Sequence, residues 1–239
     1  MNHKSKTMYP NMSYAMSFLL ILFALTGCKS GQEKEIRFET ITDVDGNSYK
    51  TVEIGEQVWM AEDLKTKNFN DGSPIARVEN YDEWASIELP AYSWYNNDSL
   101  SSEDYGLLYN GYAIDTEKLC PQGWHVPTDE DWIALESVFS GAENTGGALK
   151  QAGTSHWKTP NTAATNESGF TALPGGYRSY TGTFNLKRTF AYWWSSTEKN
   201  WFGSSTRLIF RAVQYEDRAL YRDIAEKNNG FSVRCVKNP

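Results

Sequence analysis

The chain changes its hydrophobic rhythm several times. Met16 to Leu25 is an apolar run broken only by Ser17, and it ends in Leu25-Thr26-Gly27-Cys28. It has about half the ~20 residues that a membrane-spanning helix needs, which is the length of an export-signal core. Between residues 40 and 60 the period is two. Tyr49-Lys50-Thr51-Val52-Glu53-Ile54 reads as a half-buried strand. Asp45-Gly46 and Gly55-Glu56 offer two-residue turns on either side, and Gln57-Val58-Trp59-Met60 continues, so a β-meander is predicted. Residues 66–118 carry no sustained period and are dense in Asn, Asp, Ser and Tyr, which predicts ordered irregular structure with short strands. After Pro127 the period lengthens: Trp132, Leu135 and Phe139 make one helical stripe. Thr128 and Asp131 are spaced for a capping box, and Gly141 for a stop. A shorter helix is predicted over Ala148 to Gln151. Strands return at 170–173, 192–196, 207–213 and 230–236, the last with Phe231, Val233 and Cys235 on one face. The pattern predicts an α+β chain: one domain of short antiparallel strands, one or two helices and long ordered loops.

Charge refines the N-terminal reading. Lys4 and Lys6 precede the apolar run, and no acid occurs before Glu33. Leu25-Thr26-Gly27-Cys28 resembles the lipobox of bacterial lipoproteins, in which the cysteine thiol is lipidated and the chain is cut just before it. The expectation is a signal peptide over 1–27, a polar tether over 28–35 and a domain over 36–239. An ordinary secretory signal is the alternative, although Thr26 is a poor final residue for its cleavage site. With Cys28 lipidated, the partner at that end is a membrane, and the protein is anchored in the cell envelope, at the outer membrane or cell surface. The net charge of −7 becomes −9 once Lys4 and Lys6 leave. An acidic domain is repelled by anionic headgroups, and it lacks the basic face of a nucleic-acid binder.

Three cysteines cannot staple a disulfide-dense mini-protein. With Cys28 assigned to lipid, Cys120 and Cys235 remain. In an oxidising compartment they are expected to form a disulfide; two buried free thiols are the other reading. Asp43-Val44-Asp45-Gly46-Asn47 invites comparison with a calcium loop, but Ser48 and Ile54 stand where an EF-hand needs Gly and Glu, so a turn is expected.

Many ordered segments together resemble the Fibrobacter succinogenes major paralogous domain of bacterial surface proteins. They include Ile54-Gly55 with Gln57 and Trp59-Met60-Ala61-Glu62-Asp63-Leu64, then Cys120-Pro121-Gln122-Gly123-Trp124-His125-Val126-Pro127-Thr128. Asn166-Glu167-Ser168-Gly169-Phe170, Leu173-Pro174-Gly175-Gly176 with Arg178, Trp193-Trp194-Ser195-Ser196-Thr197-Glu198 and Phe231-Ser232-Val233-Arg234-Cys235-Val236 follow. The resemblance covers about residues 40–237; Asp63 departs from it, where members tend to have Asn. It implies an exported protein, often a lipoprotein, and no agreed activity. The layout is similar to C-type-lectin-like domains, an analogy of fold that transfers no function. The calcium-dependent sugar site of such lectins is not carried over, because Thr159-Pro160-Asn161 lacks the carboxylate and Trp94-Tyr95-Asn96-Asn97-Asp98 lies upstream of it.

No nucleophile elbow, phosphate loop or dinucleotide fingerprint is present. His125 and His156 have no His or Cys partner at zinc spacing. No catalytic residue, metal ligand or cofactor is therefore predicted. The aromatic load of nine Trp, 14 Tyr and 11 Phe is the stronger signal, since flat rings fill ligand pockets and interfaces. Trp59, Trp124 and Trp132 read as core, as does one of Trp193 and Trp194. Trp84, Trp94, Trp157 and Trp201, in polar loop-like segments, are the candidate ligand-binding residues. The expected function is a non-catalytic module that binds a glycan or an envelope protein. The alternatives are an envelope hydrolase using paired carboxylates and a structural subunit of a surface assembly.

Overall fold

The two-residue period near the N-terminus becomes an antiparallel meander: Phe38–Thr42, Ser48–Ile54 and Gln57–Met60. The computed structural model describes Met1, residues 36–201 and residues 205–239, without the side chains of 201, 205 and 206. Cys28 and the predicted export signal lie outside the described residues. Tyr49, Thr51, Val52 and Ile54 are buried while Lys50 and Glu53 face out. The first turn is organised by its two aspartates. The Asp43 carboxylate accepts the N–H groups of Asp45 and Asn47, both at 2.9 Å, and the Tyr49 hydroxyl at 2.6 Å. Asp45 accepts from the Lys67 N–H at 2.5 Å and the Asn68 amide at 2.6 Å. Both carboxylates thus serve an Asx-type turn and pin the following loop, as expected of a turn rather than a calcium loop.

Two short strands complete this five-stranded sheet. Val236–Lys237 pairs with Gln57–Met60 on one side and with Trp124–His125 on the other. A six-stranded sheet runs Ala76–Arg77, Ala91–Ser93, Leu108–Asn110, Gly230–Phe231, Tyr177–Arg178 and Phe184–Asn185, with its first pair parallel. A three-stranded sheet holds the hairpin Phe190–Trp201 and Ser205–Gln214, flanked by Tyr221–Ala225. With its few helices, the domain is α+β.

Strand 190–201 divides two hydrophobic cores. Successive side chains point to opposite faces, so Trp193 enters one core with Trp59, Trp132 and Phe170, and Trp194 enters the other with Tyr109, Phe231 and Val233. Both tryptophans are fully buried, so the strand presents neither ring to solvent. The predicted strand over 230–236 is interrupted because it passes from one sheet to another. Between its two short strands, the Ser232 N–H donates to the Tyr192 carbonyl (3.1 Å) and the Trp194 N–H to that of Ser232 (3.2 Å). Phe231, Val233 and Cys235 still share the core that the alternation assigned to them.

The described residues include five α-helices, of which two reach eight residues. Asp129–Val138 matches the predicted helix, with both halves of the Thr128–Asp131 capping box formed. The second is Ala142–Leu149, longer and earlier than the predicted 148–151. Gly146 and Gly147 weaken its intrinsic propensity, yet a Cβ on Gly146 would lie 2.2 Å from the Ala219 carbonyl oxygen. Segment 218–220 crosses the helix at that point, and the tertiary contact selects the helix. Residues 170–173 form no strand: Thr171 has φ +56°, and only Ala172 makes an isolated bridge, to Lys150.

Buried cations hold the irregular segments in place of long ladders. Lys150, wholly buried, donates to the carbonyls of Thr162 and Gln214 (both 2.9 Å) and Asp217 (2.6 Å). Arg178 donates to the carbonyls of Gly182, Val78, Glu79 and Asn80. Arg234 donates to the carbonyls of Phe170 and Thr171 and to the Asp63 carboxylate. Loop carbonyls inside a protein must find donors, and these side chains supply several each. The Cys120–Cys235 disulfide, across a sequence separation of 115 and a Cα–Cα distance of 5.9 Å, joins the segment before helix 129–138 to the end of the chain.

Candidate functional site

The four candidate tryptophans do not converge. Trp84 is fully buried: its indole N–H donates to the Asn228 carbonyl at 2.7 Å and its ring lies 4.3 Å from the Arg178 guanidinium carbon. Trp157 is also fully buried, its N–H donating to the Ala172 carbonyl at 3.0 Å. Neither has a free face, so both are corrected from ligand candidates to core residues. The polar sequence around each belongs to loops packed over the ring. Trp94 is half-buried against the Tyr109 core, its outer face covered by Arg77 at 4.5 Å. The side chain of Trp201 lies outside the described residues.

Both histidines among the described residues are engaged. His125 Nε2 lies 3.0 Å from the Asp131 carboxylate and Nδ1 2.7 Å from the Asn238 side-chain oxygen. The carboxylate raises the imidazole pKa against the effect of its burial. Burial works to raise Asp131, but hydrogen bonds from His125 and Thr128 prevail and bring it to about 2. His156 lies beside Ser155 (3.2 Å) and Asp104 (4.0 Å), which superficially suggests a nucleophile, base and acid. Its Nδ1, however, is 2.7 Å from Gln151 Oε1. With that contact as a hydrogen bond, Nδ1 carries the proton and cannot take one from Ser155. Among the described residues, no three His, Cys, Asp or Glu side chains gather where they could hold a metal ion.

A site does form where the six-stranded sheet meets the three-stranded one. Phe190, Tyr192 and Trp194 share a face of their strand, and Phe210 pairs opposite Trp194. Tyr192 stacks on Phe231 (5.2 Å, 18°) and on Phe190 (5.5 Å, 15°), and Tyr177 approaches it at 5.0 Å. Phe210 meets Phe231 at 5.0 Å. Tyr177, Tyr192, Phe210 and Phe231 belong to the outer side of the Trp194 core, and they line an open cleft of about 420 Å³. Tyr180 stands at its edge, 53% exposed. An Arg207–Glu226 ion pair at 2.7 Å forms part of the wall. The Tyr177, Tyr180 and Tyr192 hydroxyls make no hydrogen bond among the described residues. Burial pushes the Tyr192 phenol well above its ordinary pKa, so it is a neutral donor and acceptor.

None of these tyrosines was a candidate from the sequence. The available signal was the aromatic alternation of Phe190, Tyr192 and Trp194, continued by Phe210 and Phe231. It marks one face of a sheet but not where that face emerges from the core. The family model described as the Fibrobacter succinogenes major domain matches residues 52–237. No curated protein and no solved structure matches the chain significantly.

Proposed function

Because the chain belongs to the Fibrobacter succinogenes major domain family, we propose that it is a lipid-anchored envelope protein whose domain binds a partner without catalysis. The observation that carries the binding reading is the aromatic cleft. Its volume falls within the roughly 300–1,000 Å³ of small-ligand sites, and it presents stacked rings with three hydroxyls that make no hydrogen bond among the described residues. The anchor reading rests on the basic start, the apolar run and Leu25-Thr26-Gly27-Cys28. No helix among the described residues is long and apolar enough to cross a membrane. A C-type-lectin-like layout belongs to the same proposal, supported by a helix that follows Cys120 and a final strand that returns beside it through Cys235. The buried carboxylates Asp63 and Asp129 and the half-buried Glu136 are engaged by arginines, and no observation favours hydrolysis.

Two measurements test this reading. Wild-type protein is expected in the detergent phase of fractionated cells and Cys28→Ser in the aqueous phase; an unchanged distribution would contradict the anchor. Immobilised protein is expected to retain an envelope component that the Tyr180→Ala variant does not retain. Equal retention by both would remove the cleft as the binding surface.

A further inference from the structure

The geometry points to an uncharged carbohydrate as the ligand of the Tyr177–Tyr180–Tyr192 cleft, with a sugar ring lying against the exposed Tyr180 ring and the half-buried rings beside it, and its hydroxyls bonded to the tyrosine hydroxyls. This rests on the binding reading of the same cleft and narrows it to a chemical class. Three observations select it. First, the lining combines flat apolar rings with tyrosine hydroxyls that have no hydrogen-bond partner among the described residues. A sugar offers the complementary pair, an apolar C–H face ringed by donors and acceptors, whereas a purely apolar ligand would strand those hydroxyls. Second, the charges in the wall neutralise each other: Arg207 is bound to Glu226 at 2.7 Å. No carboxylate or phosphate on the ligand is called for, and the chain's net charge of −7 disfavours one. Third, the cleft is already built. Phe231 and Phe210 anchor the rings from the core side, and the Asn229 side chain accepts the Tyr180 N–H at 3.2 Å, fixing the backbone that carries the edge ring. Little side-chain freedom is lost on binding.

The experiment titrates the full-length protein in detergent with neutral hexose and N-acetylhexosamine oligosaccharides and with uronate-containing or phosphorylated counterparts. Neutral oligosaccharides are expected to bind, with affinity unchanged between about 0.05 and 0.5 M salt. Tyr180→Ala removes an exposed ring outside the core and is expected to weaken binding about tenfold. Tyr192→Phe keeps the ring stack and deletes one hydroxyl; a two- to tenfold loss is expected, roughly one hydrogen bond. Tyr81→Ala, an equally exposed ring outside the cleft, is expected to bind as wild type. Tighter, salt-sensitive binding of the acidic series would overturn the assignment, as would neutral binding indifferent to Tyr180→Ala and Tyr192→Phe. If no glycan binds but an envelope protein or peptide is retained in a Tyr180-dependent way, the carbohydrate assignment fails and the binding reading stands. If nothing binds, both fail.

Discussion

Asp63 occupies the most demanding position in the chain. Its carboxylate accepts from Arg234 at 2.5 Å and from the Trp193 indole at 2.9 Å, with both charged side chains almost wholly buried. Removing one member of a buried pair leaves the other charge uncompensated. Asp63→Ala is therefore expected to cost roughly 3–5 kcal/mol in denaturant unfolding. Asp63→Asn, the residue that the family resemblance favours, keeps an acceptor at that position and is expected to cost less. Equal losses would mean that the acceptor without its charge contributes nothing. His125 gives a pH dependence with a definite sign. Its folded pKa is raised above 6.5, so its contribution is complete below that value and is lost as pH rises through the folded pKa. Asp131, lowered from 3.8 to about 2, contributes above 3.8 and loses its contribution as pH falls through about 2. The pair is expected to stabilise most between those limits, read by urea midpoints against pH. His125→Gln is expected to flatten the decline on the alkaline side.

At the scale of elements, local chemistry was legible and tertiary selection was not. The meander and the helix after Pro127 were readable because alternation, turn dipeptides and the Thr128–Asp131 box act over a few residues. Thr128→Ala should cost about 0.5–2 kcal/mol by removing that cap. Helix 142–149 was misplaced because its glycines argue locally against it, and the compensating contact comes from segment 218–220, about 70 residues away by the register of Gly147 N–H with the Arg218 carbonyl. Gly146→Ala makes the test. Helix propensity alone predicts a gain of up to about 1 kcal/mol, whereas the 2.2 Å approach of the Ala219 oxygen predicts destabilisation. A raised melting temperature would show that the segment can move aside. Segment 170–173 was read as a strand from its apolar residues. Its Phe170 and Thr171 carbonyls instead bind Arg234, a partner invisible to any local pattern.

Across the whole molecule, a small number of long-range links join irregular loops into one unit spanning Glu35–Pro239. The disulfide is the covalent one, and the cysteine count with the predicted export signal made it readable in the sequence. For a separation of 115 residues, the chain-entropy relation gives roughly 4–5 kcal/mol. A Cys120→Ser, Cys235→Ser double variant is expected to unfold at correspondingly lower denaturant, and an unchanged midpoint would mean that the buried cations suffice. The candidate binding surface was the least legible feature. Loop tryptophans look alike in sequence whether covered or exposed, and Trp84 is covered by Arg178 and Asn228, which are remote in the chain. The aromatic rings of the cleft are brought together from four strands and a loop, spread from Tyr177 to Phe231, so no local window contains them. Mapping by NMR which side chains respond to a bound envelope oligosaccharide is the most direct test. Ring and backbone signals of Tyr177, Tyr180, Tyr192, Phe210 and Phe231 are expected to shift together and to saturate with one affinity; shifts confined to other surfaces, such as Trp94 and Arg77, with the cleft silent, would contradict its role.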